Sequence, residues 1–322
     1  MNRSLKRLLS AFILPFIPVV LAYTADQSQG SWSVKSPAPT KRTEVAVAAI
    51  GNKIYVVGGF SRLGITSLVE EYDVIQDRWR EVASLPKPLH HAGIGAVNGR
   101  LYMIGGFTGN FFWTPSDAMY EYDPGSNRWT VKKSMPTARG ALAVGVYQGN
   151  LYAVGGYADG QNISANEMYN PGLDRWERKA PILTPRDHLA AAVVGDALYA
   201  IGGRLKSSYA NNLATHEAYD LKQDRWDKKA PLPTPRSGIT AEVLDGKVLV
   251  LGGEAPEGTF NLNEAYNPKT GDWQTMAPMP TARHGLGSAV VGDRLYVISG
   301  GPRPGGSFSN ANEVFSLFPQ EP

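Results

Sequence analysis

The sequence predicts an all-β fold: a six-bladed β-propeller with four antiparallel strands per blade, the last blade closed by an N-terminal strand. Three observations carry this. First, a small pair recurs along the chain, its second members Gly59, Gly106, Gly156, Gly203, Gly253 and Gly300 lying 47, 50, 47, 50 and 47 residues apart. A fixed period of that size marks a stacked repeat. Second, each pair is followed in register by an aromatic residue and, in five copies, by a tryptophan seven positions later. Third, the sixth copy runs out before its tryptophan, while Trp32 stands unassigned near the other end of the chain.

Each copy opens at Arg42, Leu89, Arg139, Arg186, Arg236 or Arg283. A run of small and branched residues follows and reads as the first strand. Turn dipeptides such as Gly51-Asn52, Gly149-Asn150 and Asp245-Gly246 then supply the positive φ of a short hairpin. The second strand carries Tyr55, Tyr102, Tyr152, Tyr199, Leu249 or Tyr296 and ends at the small pair. After a loop of variable length, the third strand finishes on Tyr72, Tyr122, Tyr169, Tyr219, Tyr266 or Phe315, and the fourth opens on Trp79, Trp129, Trp176, Trp226 or Trp273. Each ring buries roughly 150–250 Å² between blades, several kcal/mol at ~25 cal/mol/Å² before entropy is set against it. Trp32 precedes Arg42 by the same ten residues that separate Trp129 from Arg139. Its strand is therefore expected to complete the sixth blade and clasp the chain ends, since an open ring would expose unpaired strand edges.

A double glycine followed by a spaced tyrosine and tryptophan resembles the kelch repeat, and the resemblance runs from Trp32 to Phe318. It implies a β-propeller around a central channel. Relatives of that type include binding modules as well as enzymes, among them copper radical oxidases and sialic-acid isomerising proteins. The oxidases need a cysteine-modified tyrosine, and this chain has no cysteine. The E-x3-D-x3-H pattern of iron-binding specifier proteins is also absent from the sequence.

The expected organisation is a signal peptide over 1–22, a short linker over 23–29 and one propeller over 30–322. Arg3, Lys6 and Arg7 precede an uncharged apolar run from Leu8 to Tyr23 that is short for a membrane span and contains Pro15 and Pro18. The expected location is secreted or periplasmic, with an uncleaved anchor as the alternative and no stable membrane insertion once the signal is removed. Those three basic residues account for the whole net charge of +3; the remainder carries equal numbers of acids and bases. Charge therefore gives no support for a nucleic-acid partner. Without cysteine there is neither disulfide nor thiol catalysis. No G-x-S-x-G elbow, phosphate loop, EF-hand loop or zinc-protease helix is present in the sequence. No cofactor, metal or catalytic residue is assigned at this level.

Candidate ligand-binding residues come from the face where the second-to-third and fourth-to-first strand loops open. Arg42, Arg139, Arg186, Arg236 and Arg283 are expected near the channel mouth as an incomplete ring that could hold an anion. The alternative is a frame residue bonding loop carbonyls. Counting from the arginine position, residues +2, +4 and +6 are mostly glycine or alanine. Glu44, His91 and His188 at +2, Thr240 at +4 and Glu242 at +6 depart from that rule, and His90 and His284 stand at +1. Two histidines and a carboxylate are the types that serve a metal or acid–base pair. Glu44 and His188 come from opposite blades, however, so their expected separation exceeds metal-ligand reach. Phe111, Phe112 and Trp113 form an aromatic triplet outside the repeat, either presented for stacking or packed down on the adjacent blade. Loops beginning at Arg204 and Glu254 are expected to rim the same face.

The expectation is a monomeric binding module for a protein, peptide or glycan ligand. A carbohydrate-active enzyme using Glu44, His91, His188 or Glu242 is the first alternative, and a structural envelope protein the second.

Overall fold

The computed structural model describes residues 29–318. The proposed signal peptide and residues 23–28 of the linker lie outside the described residues. Six four-stranded antiparallel sheets follow one another in chain order. Blade 3 is representative: Ala143–Tyr147, Asn150–Val154, Asn166–Asn170 and Arg175–Lys179, innermost to outermost. Its first turn places Gln148 and Gly149 at φ 47° and 74°, the left-handed pair that a two-residue hairpin needs. Blade 6 is assembled from both ends of the chain. Its strands Gly287–Val291, Arg294–Ile298 and Asn312–Ser316 are completed by Ser31–Val34, with Trp32 opposite Phe315. The expected clasp is therefore present. Among the described residues, no helix is long and apolar enough to cross a membrane.

The apolar core is divided into six clusters, and each spans one pair of neighbouring blades. One joins Tyr55 and Val69 of blade 1 to Leu101 and Tyr122 of blade 2, and the last joins Tyr296 of blade 6 back to Tyr72 of blade 1. Every strand-four tryptophan, and Trp32, donates its indole N–H to a carbonyl of the preceding blade, as Trp129 Nε1 does to Ala83 O at 2.7 Å. The side chains thus pack around the circle rather than toward its centre, where the innermost strands enclose an axial cavity of about 450 Å³.

Two rings of backbone hydrogen bonds close the circle. In the inner ring, the N–H groups of Glu44, His91, Ala141, His188, Gly238 and Gly285 each donate to the carbonyl of the equivalent residue one blade earlier, at 2.7 to 3.2 Å, with Glu44 donating to Gly285. In the outer ring, Gly59, Gly106, Gly156, Gly203, Gly253 and Gly300 donate at 2.8 to 3.0 Å to Leu89, Arg139, Arg186, Arg236, Arg283 and Arg42 of the next blade. The outer ring accounts for the repeated small pair. At Gly155-Gly156 both residues have positive φ, and a Cβ on Gly155 would lie 2.8 Å from the Arg186 carbonyl. The pair makes room for this backbone contact and for the arginine stem, with a Cβ on Gly156 lying 3.2 Å from Arg139 Cδ.

All six inner-ring residues are left-handed, with φ between 51° and 64°. Glycine adopts this freely; any other L-residue costs on the order of 1 kcal/mol. Replacing Ala141 by glycine is accordingly expected to stabilise the fold by about 1 kcal/mol. Gly285→Ala, whose new Cβ would lie 2.4 Å from Glu44 Oε1, is expected to destabilise it by about 1–3 kcal/mol. Urea unfolding of the two variants checks both signs.

Candidate functional site

Three positions per blade meet around the channel mouth. The +1 residue pairs by an antiparallel bridge with the residue directly after the small pair, at +18, as Asp187 does with Arg204 and Ser237 with Glu254. The +2 residue belongs to the inner ring. Blade 3 contributes Gly140, Ala141 and Tyr157, and no charge. The other blades contribute Glu44, His90, His91, Asp187, His188, Arg204, Glu254 and His284, which converge on one connected cluster.

The cluster's geometry fixes several proton positions. Arg204 Nη2 can only donate, and it lies 2.7 Å from His188 Nε2. That nitrogen is therefore an acceptor, and Nδ1 of the same ring donates to Asp187 Oδ1 at 2.5 Å. Arg204 Nη1 reaches Glu254 Oε1 at 2.7 Å. His91 Nε2 faces Glu44 Oε2 at 3.1 Å, while its Nδ1 shares a proton with His90 Nδ1 at 2.5 Å. His284 donates from Nδ1 to Gly301 O and turns Nε2 toward Glu44 and Glu254, 3.6 Å from each.

Burial, then the fields of His90, His188, Arg204 and His284, drives the His91 pKa well below the usual imidazole range. Burial also opposes ionisation of Asp187 and Glu254. Their contacts outweigh it and hold both carboxyls below their ordinary values: His188 and Arg204 for Asp187, His284 and Arg204 for Glu254. The mouth thus gathers the carboxyl groups of Glu44, Asp187 and Glu254 around the guanidinium of Arg204 and the His284 ring. Further along the cavity, burial raises Glu242 to about 7, partly offset by the Ser288 hydroxyl, which donates to it at 3.1 Å.

This convergence corrects the expected separation of Glu44, His91 and His188. Each offers a ligand atom within 4.8 Å of the others, and the His91 and His188 rings lie 4.8 Å apart. The inner ring is narrow enough that long side chains from opposite blades meet at the axis.

The five arginines do the reverse and leave the site. Arg42, Arg139, Arg186, Arg236 and Arg283 are wholly buried, each paired with a glutamate on the third strand of its own blade: Glu70, Glu167, Glu217, Glu264 and Glu313. Arg186 donates to Gly202 O, Ala200 O and Thr184 O at 2.8 Å each, and to Glu217 Oε2 at 2.7 Å. Its guanidinium threads beneath the small pair and away from the channel, so the expected anion ring does not exist. The sequence carried a signal for the partner. The residue two before the third-strand aromatic is glutamate in the five copies that have the arginine, and Tyr120 in the copy that has Leu89. Leu89 and Tyr120 pack in one cluster where the ion pair would be. Arg204 and Glu254 went unassigned as site residues although their charge departs from the aromatic or glycine that stands at +18 in the other copies.

The aromatic triplet divides. Trp113 packs down with its ring 4.8 Å from His91 and 4.9 Å from His90. Phe111 and Phe112 stand in solvent, 92% and 89% exposed.

A buried ion pair stripped of one partner loses about 3–5 kcal/mol, while an apolar replacement of both can be neutral. Arg186→Ala is thus expected to cost about 3–5 kcal/mol in chemical unfolding. Combining Arg186→Leu with Glu217→Tyr, the arrangement of blade 2, is expected to recover most of it. Wild-type stability in the single variant would contradict the frame role.

The model of the KLHDC2/KLHL20/DRC7 Kelch-repeats domain matches residues 19–156 and 130–301. Among curated proteins, human Kelch-like protein 4 is 39% identical over 56 residues, 17% of this chain and 8% of that protein. Mouse Kelch-like protein 35 is 38% identical over 63 residues, 20% of this chain and 10% of its own. The Arabidopsis thaliana F-box/kelch-repeat protein At1g16250 is 37% identical over 67 residues, 20% of this chain and 17% of its own. These matches span less than a fifth of the relatives' length. The solved structure of YjhT superposes with a TM-score of 0.76 at 17% identity, over 87% of this chain and 96% of that one. At that identity the likeness is one of fold.

Proposed function

The chain belongs to the kelch-repeat family, and from that premise we propose that it is a binding module taking a protein or peptide ligand on the face around the channel mouth. The observation that carries this is an apolar crest. Leu63, 97% exposed, and Phe111 and Phe112 sit at the tips of neighbouring hairpins from blades 1 and 2. Asn110 Oδ1, accepting the Ile65 N–H at 2.7 Å, ties the two hairpins together. Exposed large apolar side chains grouped on one rim mark interaction sites. The crest places large apolar tips beside the polar residues Arg62 and Asn110, and its exposed apolar surface suits a protein groove or loop. Behind the crest, three acidic side chains outnumber the basic groups facing them, Arg204 and His284, which favours a basic side chain reaching into the mouth. Work outside the cytoplasm is part of this proposal, supported by the basic and apolar character of residues 1–22.

The convergence of Glu44, His91 and His188 favours a second reading, an enzyme using these groups as acid and base. Binding precedes chemistry in either case, so one experiment addresses the first reading. Peptide and glycan arrays probed with the purified protein are expected to retain basic peptides with an apolar neighbour. The Phe111→Ser/Phe112→Ser double variant should lose at least ~30-fold in affinity, corresponding to about 2 kcal/mol for a buried aromatic anchor. Retention of glycans alone, or unchanged affinity in the double variant, would overturn the proposal.

A further inference from the structure

We propose that Glu44, His91 and His188 bind a divalent first-row transition ion of the zinc type where the axial cavity meets the loop face. Two imidazoles and one carboxylate form a three-donor set that leaves a fourth position for water or a ligand atom. The ligand atoms all lie within 4.8 Å of one another, and His91 Nε2 and Glu44 Oε2 are 3.1 Å apart. Two donors on a tetrahedral zinc at 2.0–2.1 Å are separated by roughly 3.3 Å. One pair is therefore already at metal-binding distance, and the third donor has up to about 1.5 Å to close. All three residues line the axial cavity, which provides the entry path.

The orientation of the rings is the second argument. A ligating histidine usually has its far nitrogen held by a carboxylate, carbonyl or other partner that sets the tautomer. Here each histidine is held by the residue directly before it, at the +1 position. Asp187 accepts from His188 Nδ1, and His90 engages His91 Nδ1, both at 2.5 Å. Both arrangements leave Nε2 directed into the cluster. Asp187 and His90 are thus positioning residues.

Charge supplies the third. Glu44, Asp187 and Glu254 outnumber the basic groups facing them, Arg204 and His284, and a dication offsets the excess. Arg204 also gives the site a particular behaviour, since its Nη2 occupies the same His188 Nε2 lone pair that an ion would take. An incoming ion must displace that contact, and Arg204 keeps its hold on Glu254 when it does. The guanidinium is a resident competitor whose removal strengthens metal binding.

The inference is independent of the protein-ligand reading, because it is tested on the purified full-length chain with metal salts alone. Calorimetric titration with Zn²⁺, and the visible absorption of Co²⁺ added to the same protein, are expected to give one equivalent bound through nitrogen and oxygen donors. Glu44→Gln and His188→Gln should each weaken binding at least ~10-fold, Asp187→Asn about 10-fold through orientation, and Arg204→Met should tighten it. His216→Gln, a histidine outside the cluster that bonds Ala230 O, should change nothing. Circular dichroism confirms that each variant is folded, and the wild-type cobalt spectrum needs no variant at all. A wild-type protein with neither heat nor a ligand-field band would overturn the proposal. So would full affinity in folded Glu44→Gln or His188→Gln.

Discussion

Closure of a circle by backbone hydrogen bonds is the constraint on which the rest of this molecule depends. A propeller blade cannot bury both of its faces alone; each apolar cluster here is shared by two blades, and the sixth cluster exists only if the last blade meets the first. The clasp of Ser31–Val34 on Asn312–Ser316 brings the chain ends together. The two rings of interblade bonds then run in opposite senses, one from each blade to its predecessor and one to its successor. Every blade is thereby held to both neighbours at its innermost edge, where side chains have least room to contribute.

The inner ring also determines where chemistry can sit. It demands a left-handed residue in every blade, a demand glycine meets at no steric cost, yet only Gly238 and Gly285 are glycines. Glu44, His91 and His188 hold the same strained conformation with long polar side chains. Strain tolerated where glycine would relieve it is concentrated at functional positions. Here the three strained polar residues are also the three whose donor atoms meet. Blade 3, with Ala141 in the ring and no charge at the mouth, shows the frame without the cluster.

The two kinds of buried charge in the molecule serve different ends. In the five arginine–glutamate pairs, carbonyls and carboxylate bind the guanidinium within a single blade, and all five side chains are wholly buried. At the mouth, charges from blades 1, 4, 5 and 6 meet around the axis, with acids in excess and the cavity beside them. That difference, and not charge itself, separates a frame from a site. Sequence periodicity made the frame legible. The repeat, its hairpins and the Trp32 clasp can all be read from spacing, because they depend on residue types in register. The cluster was legible only in part. The +2 departures singled out Glu44, His91 and His188, whose donor atoms the structure brings together, but their distance depends on the radius of a ring made of backbone bonds, which leaves almost no trace in side-chain identity. The arginines misled for a related reason: five matching copies state a shared environment without stating which way the side chain points. The glutamates that vary with them carried that information.

Amide hydrogen exchange measured by NMR tests closure most directly. If the rings hold the propeller as one unit, the amides of Glu44, His91, Ala141, His188, Gly238 and Gly285 exchange together, with a common protection equal to that of global unfolding. Protection that differs from blade to blade, with any one of the six opening well before the others, would contradict the account.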